Sequence, residues 1–103
     1  MNDLNSVLVE GTIIKEGEIN KNDRTCIFTV VSNHYIGTKK DKLIVNVLTG
    51  SKMVDSGYDK MTKGRGVRIV GRLKNDIDGT VIIESEHIEF RPEFKRKKHD
   101  ESK

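Results

Sequence analysis

The sequence predicts a small all-β fold, a closed barrel of five strands with one short helix between the third and fourth strands. Two segments, VLVEGTIIK at residues 7–15 and VRIVGRLK at residues 67–74, alternate aliphatic and other residues, which is typical of strands with one buried face. Each carries a glycine at its fifth residue, Gly11 or Gly71, where a strand can bend sharply or admit a neighbouring backbone. Two long strands that bend at their centres allow a small sheet to curl and close.

Three strands are predicted in the first half of the chain. The first covers residues 6–15 and is followed by turn residues between 16 and 23. The second covers residues 25–32, which are rich in β-branched side chains. We expect residues 33–42 to form a polar loop and residues 43–49 to form the third strand.

A short helix is predicted next, over residues 52–62, with Ser51 as its N-cap. Gly57 inside this segment costs roughly 1 kcal/mol relative to alanine, so the helix should be short or irregular. Its apolar face would consist of Met53, Val54, Tyr58 and Met61.

The last two strands are predicted at residues 67–74 and 80–90. The Asp78-Gly79 pair between them is a hairpin signal, which makes them an antiparallel ribbon. Pro92 prevents further ladder pairing. The order of three strands, a helix and two strands is that of the oligonucleotide/oligosaccharide-binding (OB) fold, a five-stranded Greek-key barrel.

The chain resembles the bacterial single-stranded DNA-binding protein family and its relative, primosomal replication protein N. Four segments carry the resemblance: NSVLVEG (5–11), LTGSK (48–52), KGRGVRIVGRL (63–73) and IESEHIEF (83–90). The resemblance implies an OB-fold nucleic-acid-binding domain over residues 1–91. It also implies a role in DNA replication, recombination or repair. Residues 92–103 form a basic tail, predicted to be disordered.

Composition indicates one domain without export or membrane insertion. The 103-residue chain has no long apolar run and no basic start followed by an apolar stretch. Its one cysteine, Cys26, permits no intrachain disulfide, which favours a reducing cytoplasm. We therefore expect a cytoplasmic protein that does not contact membranes.

The net charge of +3 is less informative than the distribution of charge. Before Arg91 there are 13 basic and 13 acidic residues, so the predicted domain is formally neutral apart from histidines. Residues 60–74, however, contain six basic residues and no acidic one, and a second basic group, Lys39, Lys40 and Lys42, follows Tyr35. Clusters of this kind can follow the phosphates of a nucleic acid.

The candidate nucleic-acid contacts combine these cations with one aromatic ring. Alternation places Val67, Ile69 and Leu73 inside the fourth strand, so its basic residues share the opposite face. Tyr35 lies where the resembling family has its first base-stacking aromatic residue. The proposed contacts are Tyr35, Lys39, Lys40, Lys42, Arg65, Arg68, Arg72 and Lys74. An alternative interpretation is that the basic strand face is merely solvated.

Other features point away from catalysis and from tryptophan-based DNA binding. The chain has no tryptophan, and the family's remaining stacking positions correspond to Leu43, Thr49 and a site near Ile77. Phe28 and Cys26 alternate with core residues and are predicted to be buried. No zinc-ligand spacing, phosphate loop or nucleophile with its base occurs, so we expect no enzyme activity, metal or cofactor.

The expected partner is single-stranded DNA, and RNA remains an alternative. The tail lacks the acidic tip through which the family's replicative members recruit other proteins, and its basic residues could add salt-sensitive attraction to phosphates. A primosomal or other protein-interaction adaptor is the alternative function. Because the first strand is long and apolar on one face, its edge predicts a homodimer or homotetramer.

Overall fold

The computed structural model describes residues 1–92 and shows the predicted five-stranded barrel. The elements are β1 (Val7–Lys15), β2 (Cys26–Ile36), β3 (Lys39–Thr49), α1 (Ser51–Gly57), a single 3-10 turn (Tyr58–Lys60), β4 (Gly66–Asn75) and β5 (Val81–Phe90). The strands close in the order β1-β2-β3-β5-β4. The β3–β5 pair is parallel, and every other pair in the barrel is antiparallel. The OB-fold prediction is confirmed.

The core fills the barrel with apolar side chains from all five strands and from the segment after the helix. Its buried members include Ile13, Phe28, Val30, Val47, Met61, Val67, Ile69, Ile83 and Ile88. Phe28 is 1% exposed and Cys26 is buried, as the alternation in the second strand predicts. Burial raises the pKa of the Cys26 thiol, which therefore stays protonated and unreactive near neutral pH.

The two similar glycine-containing segments lie side by side in the barrel. They form β1 and β4, which pair antiparallel with Gly11 opposite Val67 and Gly71 opposite Val7. A Cβ at Gly11 would clash with the backbone carbonyl of Val31, and one at Gly71 with that of Glu84. Both glycines thus admit a neighbouring backbone where the barrel curves.

The predicted polar loop at residues 33–42 is wrong. β2 and β3 instead continue as a regular ladder out to the Ile36–Lys39 pair, and Gly37 makes the turn with φ of +62°. Most of the side chains here are polar, because the ladder projects beyond the core and both of its faces meet solvent. Backbone pairing does not require apolar side chains, so low hydrophobicity concealed the strands.

The helix is shorter than the predicted range of 52–62. It begins at Ser51, and Gly50, which supplies no side-chain hydrogen bond, is the N-cap, so the cap assigned to Ser51 is wrong. It ends at Gly57, as the cost of glycine predicts, and the Phe90 ring packs against that residue. Tyr58 is 39% exposed and donates its hydroxyl to the Gly17 carbonyl at 3.1 Å, rather than joining the core.

The Asp78-Gly79 hairpin is confirmed. β4 and β5 form an antiparallel ribbon, and its turn is closed by a 2.7 Å hydrogen bond from the Asp76 amide to the Thr80 carbonyl. No helix among residues 1–92 has the length and apolar character needed to cross a membrane. The predicted disordered tail at residues 93–103 lies outside the described residues.

Candidate nucleic-acid interface

The outer half of the β2–β3 ladder projects from the barrel. β2 pairs with β1 only at residues 29–31, so residues 32–36 of β2 are paired with β3 alone. We call residues 32–43, which comprise both strands beyond that point and their turn, the β2–β3 arm. The arm is a two-stranded ribbon with two solvent-facing sides, and its side chains are available to a ligand.

One side of the arm carries the best stacking surface in the described structure. Tyr35 pairs with Lys40, and Asn33 pairs with Lys42, so all four side chains lie on the side continuous with the outer face of the barrel. Tyr35 itself is 64% exposed. The Lys40 ammonium lies 5.9 Å from the centre of the Tyr35 ring, a cation–π distance that holds the ring beside a positive charge.

The three lysines of the arm have no carboxylate partner. None of the ion pairs among residues 1–92 involves Lys39, Lys40 or Lys42. Lys39 lies on the opposite side of the arm from Lys40, because the two are adjacent in a strand. Asp41 shares the side of Lys39, opposite His34, and therefore does not neutralise the side that carries Tyr35.

The cations of β4, unlike those of the arm, lie next to carboxylates. Arg68 donates its Nε to Glu10 at 2.7 Å and also lies 3.8 Å from Glu89. Arg72 donates two hydrogen bonds, of 3.0 and 2.8 Å, to one oxygen of Glu84. The Lys74 ammonium lies 3.9 Å from the other oxygen of the Glu84 carboxylate. The outer face of β4 is therefore basic in sequence but locally compensated in the fold.

Two details of β4 depart from simple alternation. Leu73, expected inside, is 44% exposed, because β4 has left the barrel and entered the ribbon at that point. The β4–β5 register also shifts between Val70 and Gly71, which changes which β5 residues face the cations. Arg68, Arg72 and Lys74 nevertheless remain exposed, as expected.

Arg65 lies in the turn before β4 rather than on a strand face. Its Nε donates to the Arg91 carbonyl at 2.7 Å, and its guanidinium lies 5.9 Å from the centre of the Phe90 ring. Lys60 lies 6.0 Å from the same ring. These contacts hold the end of β5 against the barrel and leave Arg65 near the surface, at the opposite end of β1 from the arm.

A groove of about 600 Å³ separates the arm from β1 and β4. It is lined by Leu8, Val9, Glu10, Ser32, Asn33, Leu43 and Arg68. The groove exists because β1 does not pair with β2 before residue 12. Alongside residues 7–11 of β1, the arm diverges from the barrel wall. Of the predicted contacts, only Arg68 lines the groove. Tyr35, Lys40 and Lys42 lie on the outer side of the arm, and Lys39 lies on its other side.

The sequence did not identify Glu10 and Asn33, which line this groove, or Arg91, whose Nη2 lies 3.0 Å from Oε1 of Glu10. Glu10 lies directly opposite Arg68 in the β1–β4 ladder, a register that the two similar segments do not reveal by themselves. No group of three or more potential metal ligands occurs among the residues that the structure describes.

Comparison with known proteins identifies the fold through solved structures alone. No family model and no curated protein sequence matches the chain. A small single-stranded DNA-binding protein from Streptomyces coelicolor superposes with a TM-score of 0.73 and 15% identity, over 88% of this chain and 95% of that one. The second single-stranded DNA-binding protein (SSBb) of Mycobacterium smegmatis gives 0.70 and 21%, over 82% and 86%.

A third similar structure is the dimeric N-terminal domain of PriB from Thermoanaerobacter tencongensis. Its TM-score is 0.66 at 17% identity, over 86% of this chain and 98% of that one. The resemblance to both kinds of protein that the sequence predicts is thus confirmed at the level of the fold.

Proposed function

We propose that this protein is a non-catalytic, single-stranded DNA-binding protein that acts in replication, recombination or repair. The observation that carries the proposal is the β2–β3 arm, where an exposed tyrosine stands among lysines that have no carboxylate partner. In OB folds the face of strands two and three is a common oligonucleotide-binding surface. The similar structures named as single-stranded DNA-binding proteins support the same ligand.

The two devices that bind a single strand are both available on the arm. A base can stack on the Tyr35 ring, an interaction worth roughly 1–3 kcal/mol per base in other proteins. Lys40 and Lys42 lie on the same side as the ring and can contact the phosphates on either side of that base. Lys39 faces the other side, where it can hold the strand as it passes around the tip.

Arg65, Arg68, Arg72 and Lys74 are proposed as further phosphate contacts of lower weight. Each β4 cation already has a glutamate neighbour, so a phosphate must compete with a carboxylate for it. A guanidinium can bind both, because several of its N–H groups point away from the first partner. The β4 cations therefore contribute less net attraction than their number in the sequence implies.

Fluorescence anisotropy with labelled oligo-dT, at low and at moderate salt, tests the proposal directly. We expect binding that weakens as the salt concentration rises, because phosphate contacts release counterions. An unlabelled DNA or RNA oligomer of matched length then identifies the preferred sugar. Absence of binding at tens of micromolar protein, even in low salt, would contradict the proposal.

A protein-interaction adaptor is the second candidate function. It is favoured by the compensated charge of β4, where ion pairs replace the basic face that the sequence predicts. An adaptor of the primosomal kind would keep its protein partner after nuclease treatment and a high-salt wash. A DNA-binding protein recovered through nucleic acid would lose its associated proteins under the same treatment.

We further propose that the protein assembles through β1. β1 pairs with β2 only from residue 12 onward, so along residues 7–11 one edge of β1 has no neighbouring strand in the described structure. An unpaired edge can add a strand from a second copy. Light scattering should therefore report a homodimer or homotetramer, and a monomer at high micromolar concentration would contradict this assembly.

A further inference from the structure

The groove beside the arm continues along the outer side of β1. A smaller depression, bounded by Glu10, Thr12, Asn33 and Arg91, shares Glu10 and Asn33 with the groove. It shares Thr12 and Arg91 with a third depression of about 390 Å³, at the turn that contains Lys63 and Arg65. Because neighbouring depressions share lining residues, the three follow one another from the arm to the opposite end of β1, and we call this series the channel.

Four of the residues that line this channel are cations, and the only acid among them is Glu10. The cations are Arg68, Arg91, Arg65 and Lys63. At the Lys63 end, Thr12 and Thr62 supply hydroxyls, and the glycines at positions 64 and 66 add no side chains to the lining. Such a lining suits a chain of phosphates, except at its centre.

At that centre, Glu10 occupies two guanidiniums at once. Its Oε2 accepts a hydrogen bond from Nε of Arg68 at 2.7 Å and lies 2.6 Å from Nη2 of the same guanidinium. Its Oε1 lies 3.0 Å from Nη2 of Arg91. The carboxylate lies on the surface, and it links β1 and β4 to the residue that follows β5.

We propose that this channel is a phosphate path of the bound strand, and that Glu10 stands in the position of a phosphate between Arg68 and Arg91. The inference rests on the proposed DNA binding and assigns a second part of the same site, beyond the arm. It uses the outer face of β1 and β4 around Glu10, whereas a second copy of the protein would pair along the edge of β1 at residues 7–11. Carboxylate and phosphate both accept paired hydrogen bonds from guanidinium groups, so each can occupy the same two arginines. The incoming phosphate must displace Glu10 or accept its repulsion, and Glu10 thereby limits the affinity of the channel.

The substitution Glu10→Gln tests the proposal, because it keeps the shape of the side chain and removes its charge. We expect oligo-dT to bind at least about threefold more tightly at low salt, since one repelling charge close to the phosphates is lost. The slope of log K against log salt should steepen by about 0.7 for each phosphate that the released guanidiniums contact. Adding Arg68→Gln and Arg91→Gln to Glu10→Gln should abolish both gains.

Asp55→Asn is the matched control. It removes the same charge and releases an exposed arginine, Arg24, from an ion pair outside the channel. Arg24 precedes β2 at the end remote from the arm, so this variant reports the effect of net charge alone. Equal tightening by the two variants would overturn the proposal, as would a folded Glu10→Gln protein that binds no more tightly than the original.

A second measurement separates the channel from the proposed function. The side-chain Nε–Hε NMR signals of Arg68 and Arg91 should shift with inorganic pyrophosphate at lower concentrations in Glu10→Gln than in the unsubstituted protein. That shift without oligo-dT binding by the unsubstituted protein would refute the proposed function and retain the anion site. Oligo-dT binding by the unsubstituted protein with no gain in Glu10→Gln would refute the channel and retain the proposed function.

Discussion

The β2–β3 arm and the outer face of β4 each present three basic residues to solvent, but only those of the arm lack carboxylate partners. On β4, Arg68 meets Glu10 from β1, and Arg72 meets Glu84 from β5. β4 has a neighbour on both sides, and the register of each neighbour places an acid beside a cation. The arm contains only its own two strands, and its one acid, Asp41, lies on the side away from Tyr35.

This difference shows that the charge available to a ligand depends on cross-strand neighbours as well as on the strand itself. The acid-free run at residues 60–74 is the strongest basic signal in the sequence, yet the fold compensates much of it. The shorter group that contains Lys40 and Lys42 is a weaker signal and keeps its charge. The arm should therefore dominate binding, and β4 should contribute mainly to the barrel.

Tyr35→Ala is expected to give the largest change in binding. Loss of a base stack worth roughly 1–3 kcal/mol corresponds to a fivefold to more than hundredfold weaker affinity for oligo-dT. Tyr35→Phe should bind nearly as well, because stacking uses the ring. Since the side chain lies on an exposed ribbon, neither variant should melt at a clearly different temperature; a large drop in the melting temperature of Tyr35→Ala would instead indicate a structural role.

The substitutions Gly71→Ala in β4 and Gly37→Asn in the turn of the arm compare how much each region contributes to the stability of the fold. The added Cβ at Gly71 would clash with the Glu84 carbonyl inside the barrel, and overpacking of this kind costs about 1–3 kcal/mol. Each kcal/mol corresponds to about 4–8 °C in the melting temperature of a domain of this size. At Gly37 no described atom lies within 4 Å of a Cβ, and asparagine tolerates positive φ, so that variant should melt close to the original. Equal melting temperatures would contradict the comparison.

Removing one cation from each region should change the salt dependence of binding unequally. Lys40→Gln should lower the magnitude of the salt slope by about 0.7, the value for one phosphate contact on a single strand. Arg72→Gln should lower it by less, because Glu84 already compensates that guanidinium. Titrations of both variants at several salt concentrations check this order, and a larger effect of Arg72→Gln would reverse the weights assigned to the two regions.

The smallest expected effect is on the pH dependence of the melting temperature, and it comes from the Glu10 carboxyl that is paired with Arg68 of β4. Arg68 lowers the pKa of Glu10 below its usual range through a hydrogen bond and its charge, and Arg91 lowers this pKa more weakly. A carboxyl whose pKa is lower in the folded state stabilises that state above its unfolded pKa of about 4, and this contribution is lost as the pH falls through the lowered pKa.

Melting temperatures measured between pH 7 and pH 3 should therefore fall slightly more in the original protein than in Glu10→Gln. Hydrogen bonds from Thr25 and Thr80 lower the pKa values of Asp23 and Asp78. These two carboxyls therefore add the same loss of stability in acid to both proteins. Lys40→Gln is the control from the arm and should retain the full pH dependence. An identical pH dependence in Glu10→Gln would show that the ion pair does not stabilise the fold.

Much of the barrel was predictable because its signals are local. Alternation identified β1, β4 and the burial of Phe28, and the Asp78-Gly79 pair identified the ribbon. The glycines at positions 11 and 71 indicated close backbone approach, which the structure shows at both. Each of these inferences depends on residues that are near one another in the chain, where steric limits and the period of the strand apply directly.

The arm and the paired charges were not predictable by the same means. The strands of the arm have polar side chains on both faces, so no alternation reveals them, and only backbone pairing makes them strands.

By itself, then, the sequence determined the class of fold, the inward face of its strands and the presence of basic clusters. Only the tertiary structure decided which cations remain available, because the acids opposite Arg68 and Arg72 lie 58 and 12 residues away along the chain. Such partners meet through the register of the closed barrel, which is set by the packing of the whole core and by the turns that join its strands.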